Sequence, residues 1–489
     1  MYMKKITFYF LLLISFDLLS QNHVDALRYS YLEPLGTARF SSLGGSFSGL
    51  GGDLSSIHQN PAGLAIYRSD EIGFSLNSKI TSNESSYFNS SYNNELSNFY
   101  IQNLGYVKTF RKSDEKWNRF LFGLTYNRLK DFNEDLIILG NSNESMINTF
   151  LNNSQNTSYE NLNPFYEELA FNTYLIDTLN GEKNNYQSAL TDSENDLYHQ
   201  NIINRSGYMD ELGVSFSGAY NDFLFVGFQL GFVSINYNEY KSYIENGFET
   251  NDDYLAGTLD EFVFNENLNV IGGGINYKLG FILKPIKFIR IGAAYHSKTN
   301  FQIEENWESS LTANFLPNKS YDEFFSTSFI SPNGIGNFSL TTPSKSIASL
   351  AFIIAKRGLI NIELEKIDYS RAVMNSTYYN YINENSNISN YYKNVNNLRI
   401  GTEWKFSNIS FRAGLGIYES PFISNSIGID PNHRIIQSFG LGYKSNQYFF
   451  DLALINSNET KEHFMFEGST ASEISKSEQN IIISVGYKF

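Results

Sequence analysis

The stretch that decides the fold is Gln479-Asn480-Ile481-Ile482-Ile483-Ser484-Val485-Gly486-Tyr487-Lys488-Phe489. Ile481, Ile483, Val485, Tyr487 and Phe489 fall on one face of an extended chain, and Ser484, Gly486 and Lys488 on the other. Period two with unlike faces is the signature of a strand between two environments. A core helix would repeat its apolar residues every three or four positions instead.

The same alternation recurs upstream. Tyr448, Phe450, Leu452 and Leu454 oppose Asp451 and Ala453, while Phe411, Ala413, Leu415 and Ile417 oppose Arg412, Gly414 and Gly416. Phe120, Phe122, Leu124 and Tyr126 oppose Gly123, Thr125 and Asn127. The pattern predicts strands over 71–80, 98–110, 119–130, 206–220, 223–243, 266–284, 287–304, 345–356, 359–369, 395–406, 409–420, 434–444, 447–457 and 479–489. About fourteen is an even count, as a bacterial single-chain transmembrane barrel requires. Tight connections (Asn221-Asp222, Ser407-Asn408, Ser445-Asn446) alternate with long ones near 81–97, 131–205, 244–265, 305–344, 370–394, 421–433 and 458–478. Short periplasmic turns and long outer loops sort in this way. The expected fold is an all-β transmembrane antiparallel barrel, apolar faces to lipid and small or polar faces to the lumen. In the longest loop, Phe165, Tyr166, Leu169 and Ala170 have helical spacing.

Composition agrees. Aromatic residues make up 16% of the chain, with 34 Tyr and 41 Phe, an excess suited to girdles at two bilayer interfaces. There are no cysteines, so no disulfide holds an exported fold together. A formal net charge of −15 argues against nucleic acid as a partner, since phosphates demand basic grooves. No Gly-x-Ser-x-Gly elbow stands at a strand-to-helix turn, and no histidine pair has metal-ligand spacing. An enzyme, a metal site and a cofactor are therefore not expected.

The N-terminus sets the compartment. Lys4 and Lys5 precede an apolar run from Ile6 to Leu19, then Ser20-Gln21. This reads as a signal peptide over 1–20, because a spanning helix needs roughly 20 apolar residues. Residues 21–70 read as a hatch, and 71–489 as the barrel. The hatch contains Gly44-Gly45, Gly51-Gly52 and Asn60-Pro61-Ala62-Gly63-Leu64. Asp53 is placed to cap a short helix running to His58. Pro61 would stop that helix and push Asn60 to an extended shape.

The Gly-rich stretch, the Asn60-Pro61-Ala62 motif and Gly63-Leu64 running into the first strand resemble the FadL/TodX family of outer-membrane transporters for hydrophobic compounds, in its Bacteroidetes-type form. The resemblance implies a fourteen-stranded barrel with an N-terminal hatch inside the lumen. It also implies passage of long-chain fatty acids or aromatic hydrocarbons by hatch rearrangement and exit through the wall. The implied hatch motif is Gly44, Gly45, Gly51, Gly52, Asn60, Pro61, Ala62 and Gly63. The implied partners are the lipid bilayer and a hydrophobic small molecule. The terminal Phe489 resembles the signal read by the barrel-assembly machinery, a partner in biogenesis.

Alternation places Arg290, His296, Arg399 and Arg412 on lumenal faces. An arginine there could hold a ligand carboxylate by a charge-assisted bond. Alternatively, these residues brace the lumen and hatch through cross-strand ion pairs. Three other functions compete with uptake. They are a secretion-associated barrel that binds protein cargo, a haem-linked receptor using His58, and a lipid hydrolase using a Ser/His pair.

Overall fold

The computed structural model describes residues 23–112, 115–191, 196–252, 254, 256–355, 357–423 and 433–489. The expected signal peptide and most of the expected outer loop 421–433 lie outside the described residues.

Fourteen antiparallel strands form the wall. They are β1 (Glu71–Tyr87), β2 (Ser90–Arg111), β3 (Trp117–Asp131, continued by Glu134–Ser142), β4 (Leu197–Tyr220), β5 (Leu224–Asn246) and β6 (Thr258–Ile286). Next come β7 (Ile289–His296, continued by Asn300–Leu316), β8 (Phe325–Ile330, Gly334–Thr341 and Lys345–Ile354) and β9 (Gly358–Asp368, then Val373–Asn375). The wall ends with β10 (Asn394–Phe406), β11 (Ile409–Tyr418), β12 (Arg434–Lys444), β13 (Tyr448–Phe464) and β14 (Ala471–Lys488). β14 returns to β1, from Glu71↔Lys488 to Ser86↔Glu473, and closes the sheet. Asp70 and Phe489 exchange backbone hydrogen bonds of 3.1 Å at that join. Closure removes the free edges that lipid could not satisfy.

The faces sort as alternation predicts. Phe74, Leu104, Phe216, Phe281, Leu364, Phe411 and Phe450 point outward and are exposed, while Asn77, Gly105, Ser215, Glu363 and Ser484 point inward. A continuous exposed apolar band is stable only against lipid. Trp404, Phe406, Tyr448, Tyr487 and Phe489 gather at the periplasmic rim, with Tyr448 and Tyr487 centroids 5.0 Å apart. No helix among the described residues is long and apolar enough to cross a membrane, and strands do the crossing.

The outer loops are shorter than the sequence suggests. The expected loop 81–97 is a hairpin: β1 runs to Tyr87 and β2 starts at Ser90. Likewise β5 runs to Asn246 and β6 begins at Thr258. Above the bilayer both strand faces meet polar surroundings, so the ladder continues after the apolar alternation has stopped. The gap between the expected strands 266–284 and 287–304 sits two residues later, at Lys287-Phe288, because Ile286 pairs with Ile289.

The long segment after β3 carries helices α4 (Met146–Ser154) and α5 (Glu167–Asn172). Ile147, Phe150 and Leu169 pack with Phe262, Phe264, Leu311 and Phe315 from the inner faces of β6 and β7. This apolar cluster caps the outer mouth. Towards the periplasm the N-terminal segment fills the lumen with α2 (Ala38–Ser42), α3 (Leu54–Gln59) and a 3-10 turn, Pro61–Ile66, while its first helix, α1 (His23–Arg28), reaches up to the outer segment after β9, where the Tyr392 hydroxyl donates to His23 O at 3.0 Å. Between the cap and this plug a cavity remains beside Leu27, Tyr31 and Leu136.

Candidate functional site

Local rules shape the hatch. Asp53 caps α3 by accepting a hydrogen bond from Ser55 N at 2.9 Å. Thr37 caps α2, and its hydroxyl donates to both Asp53 carboxylate oxygens at 2.8 and 2.9 Å. The two short helices are therefore tied at their N-termini. Burial pushes the Asp53 carboxyl up to about 6, against the opposing pull of Arg39 and Thr37. Asn60 is extended, with φ −145° and ψ 105°. Pro61 ends α3 and also opens the 3-10 turn, with the Asn60 side chain accepting from Ala62 N at 3.1 Å. Gly51 has φ +64°, and a Cβ there would run into Gly63, so the motif's two halves fit only as glycines.

The same segment is fastened to the wall. Asn60 Nδ2 donates to Ser48 O at 2.8 Å and Phe281 O at 3.1 Å. Glu363 on β9 accepts from Phe47 N (3.1 Å), Ser48 N (2.7 Å) and Gln59 Nε2 (2.8 Å). Arg39 makes a two-pronged pair with Glu403 on β10, at 2.8 and 3.0 Å. His58 Nδ1 lies 2.8 Å from Glu211 Oε1 and 2.7 Å from Lys278 Nζ. Burial and the neighbouring Lys278 hold the His58 imidazole below its usual range.

The four lumenal candidates from the sequence belong to this fastening. Arg290 Nη1 donates to Leu50 O at 2.6 Å, and His296 Nε2 lies 2.9 Å from Gln59 O. Arg399 pairs with Glu363 at 2.8 Å and Glu365 at 3.1 Å. Arg412 pairs with Glu403 and Asp451, both at 2.6 Å. None of the four lines the cavity above the hatch.

That cavity has a volume of about 420 Å³ and is lined in part by Leu27, Tyr31, Phe132, Leu136, Tyr237 and Phe422. A dense ion network borders these apolar groups. Lys476 lies 3.0 Å from Glu134 and from Glu478, Arg434 lies 2.8 Å from Glu478, and Lys79 lies 3.1 Å from Glu478. Lys130 differs from these cations. Its ammonium donates to Arg28 O (3.1 Å) and Tyr31 O (3.4 Å), with no carboxylate within 4.0 Å among the described residues. Sequence reasoning missed these residues. Alternation on β1 and β14, carried past residues 80 and 479, would have put Glu478 and Lys476 inward. Lys130 is hidden by a register shift between Arg128 and Lys130 that changes the facing of β3.

The wall beside the cavity is not fully laddered. β2 pairs with β1 up to Ser90, but with β3 only from Arg111↔Arg119 to Asn103↔Asn127. Above that point side chains bridge the seam. Gln102 Nε2 donates to Arg128 O (2.9 Å), Asn98 Nδ2 to Asp131 Oδ1 (2.9 Å) and Asn94 Nδ2 to Asp135 O (2.7 Å). From β1, Asn83 Nδ2 and Ser85 Oγ donate to Asp135 O and Ile137 O, both at 2.6 Å. β3 is interrupted here at Phe132-Asn133, and both residues line the cavity.

A closed fourteen-strand wall with a lumenal plug defines an outer-membrane β-barrel of the hatch-bearing kind. The family model for outer membrane protein transport proteins (OMPP1/FadL/TodX) matches residues 204–478, and the chain belongs to that family. Among solved structures, a Pseudomonas aeruginosa FadL homologue is similar, with TM-score 0.54 and 13% identity, covering 94% of this chain and 100% of that one. The P. putida toluene transporter TodX is similar too, with TM-score 0.54 and 15% identity, covering 94% and 99%. At such identities the likeness is one of fold. Against curated protein sequences no match is found.

Proposed function

We propose that the barrel takes up a hydrophobic small molecule of long-chain fatty-acid or aromatic type, holds it in the cavity and releases it sideways through the β2–β3 seam. The observation that carries this reading is the juxtaposition of the cavity of about 420 Å³ with the one stretch of β2 that lacks a β3 ladder. The cavity offers Leu27, Phe132, Leu136 and Tyr237 to an apolar body. Lys130, which donates to two carbonyls and has no carboxylate within 4.0 Å among the described residues, is the cation that would meet a carboxylate end. The hatch closes the lumen towards the periplasm, and Arg290, His296, Arg399 and Arg412 serve it as latches. Its motif around Asn60-Pro61 then governs how easily the plug shifts.

The test is uptake of a labelled panel (a long-chain fatty acid, an aromatic hydrocarbon and haem) by cells with and without this gene. Selective loss for a hydrophobic class supports the reading and names the substrate. Equal uptake of all three, with the barrel present in the membrane, rejects it and favours a barrel that binds protein cargo.

A further inference from the structure

Beneath the hatch a second cavity, about 450 Å³, opens at the periplasmic end of the lumen. The molecule carries 51 acidic and 36 basic residues, yet seven of the eight charged side chains lining this cavity are cationic. Its one carboxylate, Glu403, is already shared by Arg39 and Arg412. Two other lining cations also have partners: Lys488 pairs with Glu71, and Arg68 lies 3.7 Å from Asp222. The remaining four are Arg290, Arg357, Lys405 and Lys444. Among the described residues, none of these four has a carboxylate within 4.0 Å. They come from four separate places on the rim: β7, the β8–β9 turn, the end of β10 and the end of β12.

Like charges gathered at one opening repel, and a polyanion between them turns repulsion into attraction. Guanidinium forks and ammonium groups together suit phosphate, the first by paired hydrogen bonds and the second as point charges. Leu50, Gly51 and Gly52 of the hatch line the same space, with Arg290 already bonded to Leu50 O. We propose that this vestibule is an anion site that seats a phosphate-bearing ligand against the underside of the hatch. The site goes beyond the uptake reading and does not depend on it, since it faces the other side of the plug.

The experiment is titration of the purified full-length chain, in an uncharged detergent, with inorganic pyrophosphate followed by calorimetry. Saturable binding is expected, weakening as salt rises, because screening acts over about 8 Å at physiological ionic strength. The triple variant Arg357→Gln/Lys405→Gln/Lys444→Gln should bind at least tenfold more weakly. Arg357→Lys/Lys405→Arg/Lys444→Arg keeps the charge and should retain binding, which separates charge from misfolding. Repeating the titration in bilayer discs of phosphatidylglycerol distinguishes sources. Binding that persists points to a soluble phosphate compound, and binding that is displaced points to a lipid headgroup occupying the same site. No saturable binding in detergent, or binding that the Gln triple variant leaves intact, overturns the proposal. Neither result bears on uptake of the hydrophobic panel.

Discussion

The wall from β10 to β14 and the seam between β2 and β3 solve the same problem in different ways. On the first side every strand is laddered to the next, for instance from Tyr448↔Tyr487 to Phe464↔Ala471. At the seam the ladder stops at Asn103↔Asn127, and amide or hydroxyl side chains take over. A buried backbone group must find a partner wherever water does not reach it. A ladder supplies partners cooperatively. Side-chain bridges supply them singly, each worth about 1 kcal/mol net. The seam can therefore part bond by bond, while the opposite wall parts only as a unit.

A covalent staple tests this difference and has the largest expected effect. The chain has no cysteine, so Asn98→Cys/Asp131→Cys introduces a single oxidisable pair at side chains already in contact. Oxidation should cut uptake of the transported compound at least tenfold, and reductant should restore it. The matching pair across the continuous wall, Thr402→Cys/Ala413→Cys, stands directly opposite in register and should leave uptake unchanged. Equal loss in both stapled proteins would erase the distinction between seam and wall.

The second test strikes the laddered side from within. Arg399 is buried between Glu363 and Glu365. Arg399→Gln leaves Glu363 without its cation and Glu365 with Lys345 alone, and breaking a buried pair costs about 3–5 kcal/mol. A fall in thermal midpoint is expected, together with greater proteolysis of the hatch, since Glu363 also holds Phe47, Ser48 and Gln59. An unchanged midpoint would show that the ladder alone carries this side.

The wall was legible in the sequence wherever lipid and lumen impose unlike demands on alternate residues, as along Ile481–Phe489. It became illegible above the bilayer, where Ser82–Ser86 and Asn93–Asn94 stay in strand with polar residues on both faces. The hatch was legible where rules are local: the Asp53 cap and the extended Asn60 follow from neighbours within a few positions. Its fastening was not. Alternation turns Arg290 or Arg399 inward, but Gln59 meets Glu363 across 304 residues of chain. The cavity was least legible of all, because the register shift before Lys130 is a property of the β3–β4 pair and not of either strand alone.

A milder change separates hatch from wall. Asn60→Ala removes the donor to Ser48 O and Phe281 O and the acceptor for Ala62 N. Losing a buried partner of this kind costs about 1–3 kcal/mol. Hydrogen exchange should quicken over residues 44–66, while amides of β10–β14 keep their protection. Quickened exchange in both regions would mean that plug and wall unfold together.

The smallest expected effect is a change of slope with pH. The Asp53 carboxyl rises from its ordinary 3.8 to about 6 because burial disfavours its charge. A raised carboxyl favours the native hatch while protonated. Its contribution is therefore fully present below pH 3.8 and is lost as pH climbs from there through about 6. Asp53→Asn caps α3 as well as aspartate does and cannot ionise. Across that window the native hatch should loosen with rising pH relative to the Asn variant, read as hatch exchange rates in the two proteins. Taking the difference cancels His58, whose lowered pKa pulls the opposite way by favouring the hatch at higher pH. Parallel profiles would place the Asp53 charge in water and loosen the tie between Thr37 and α3.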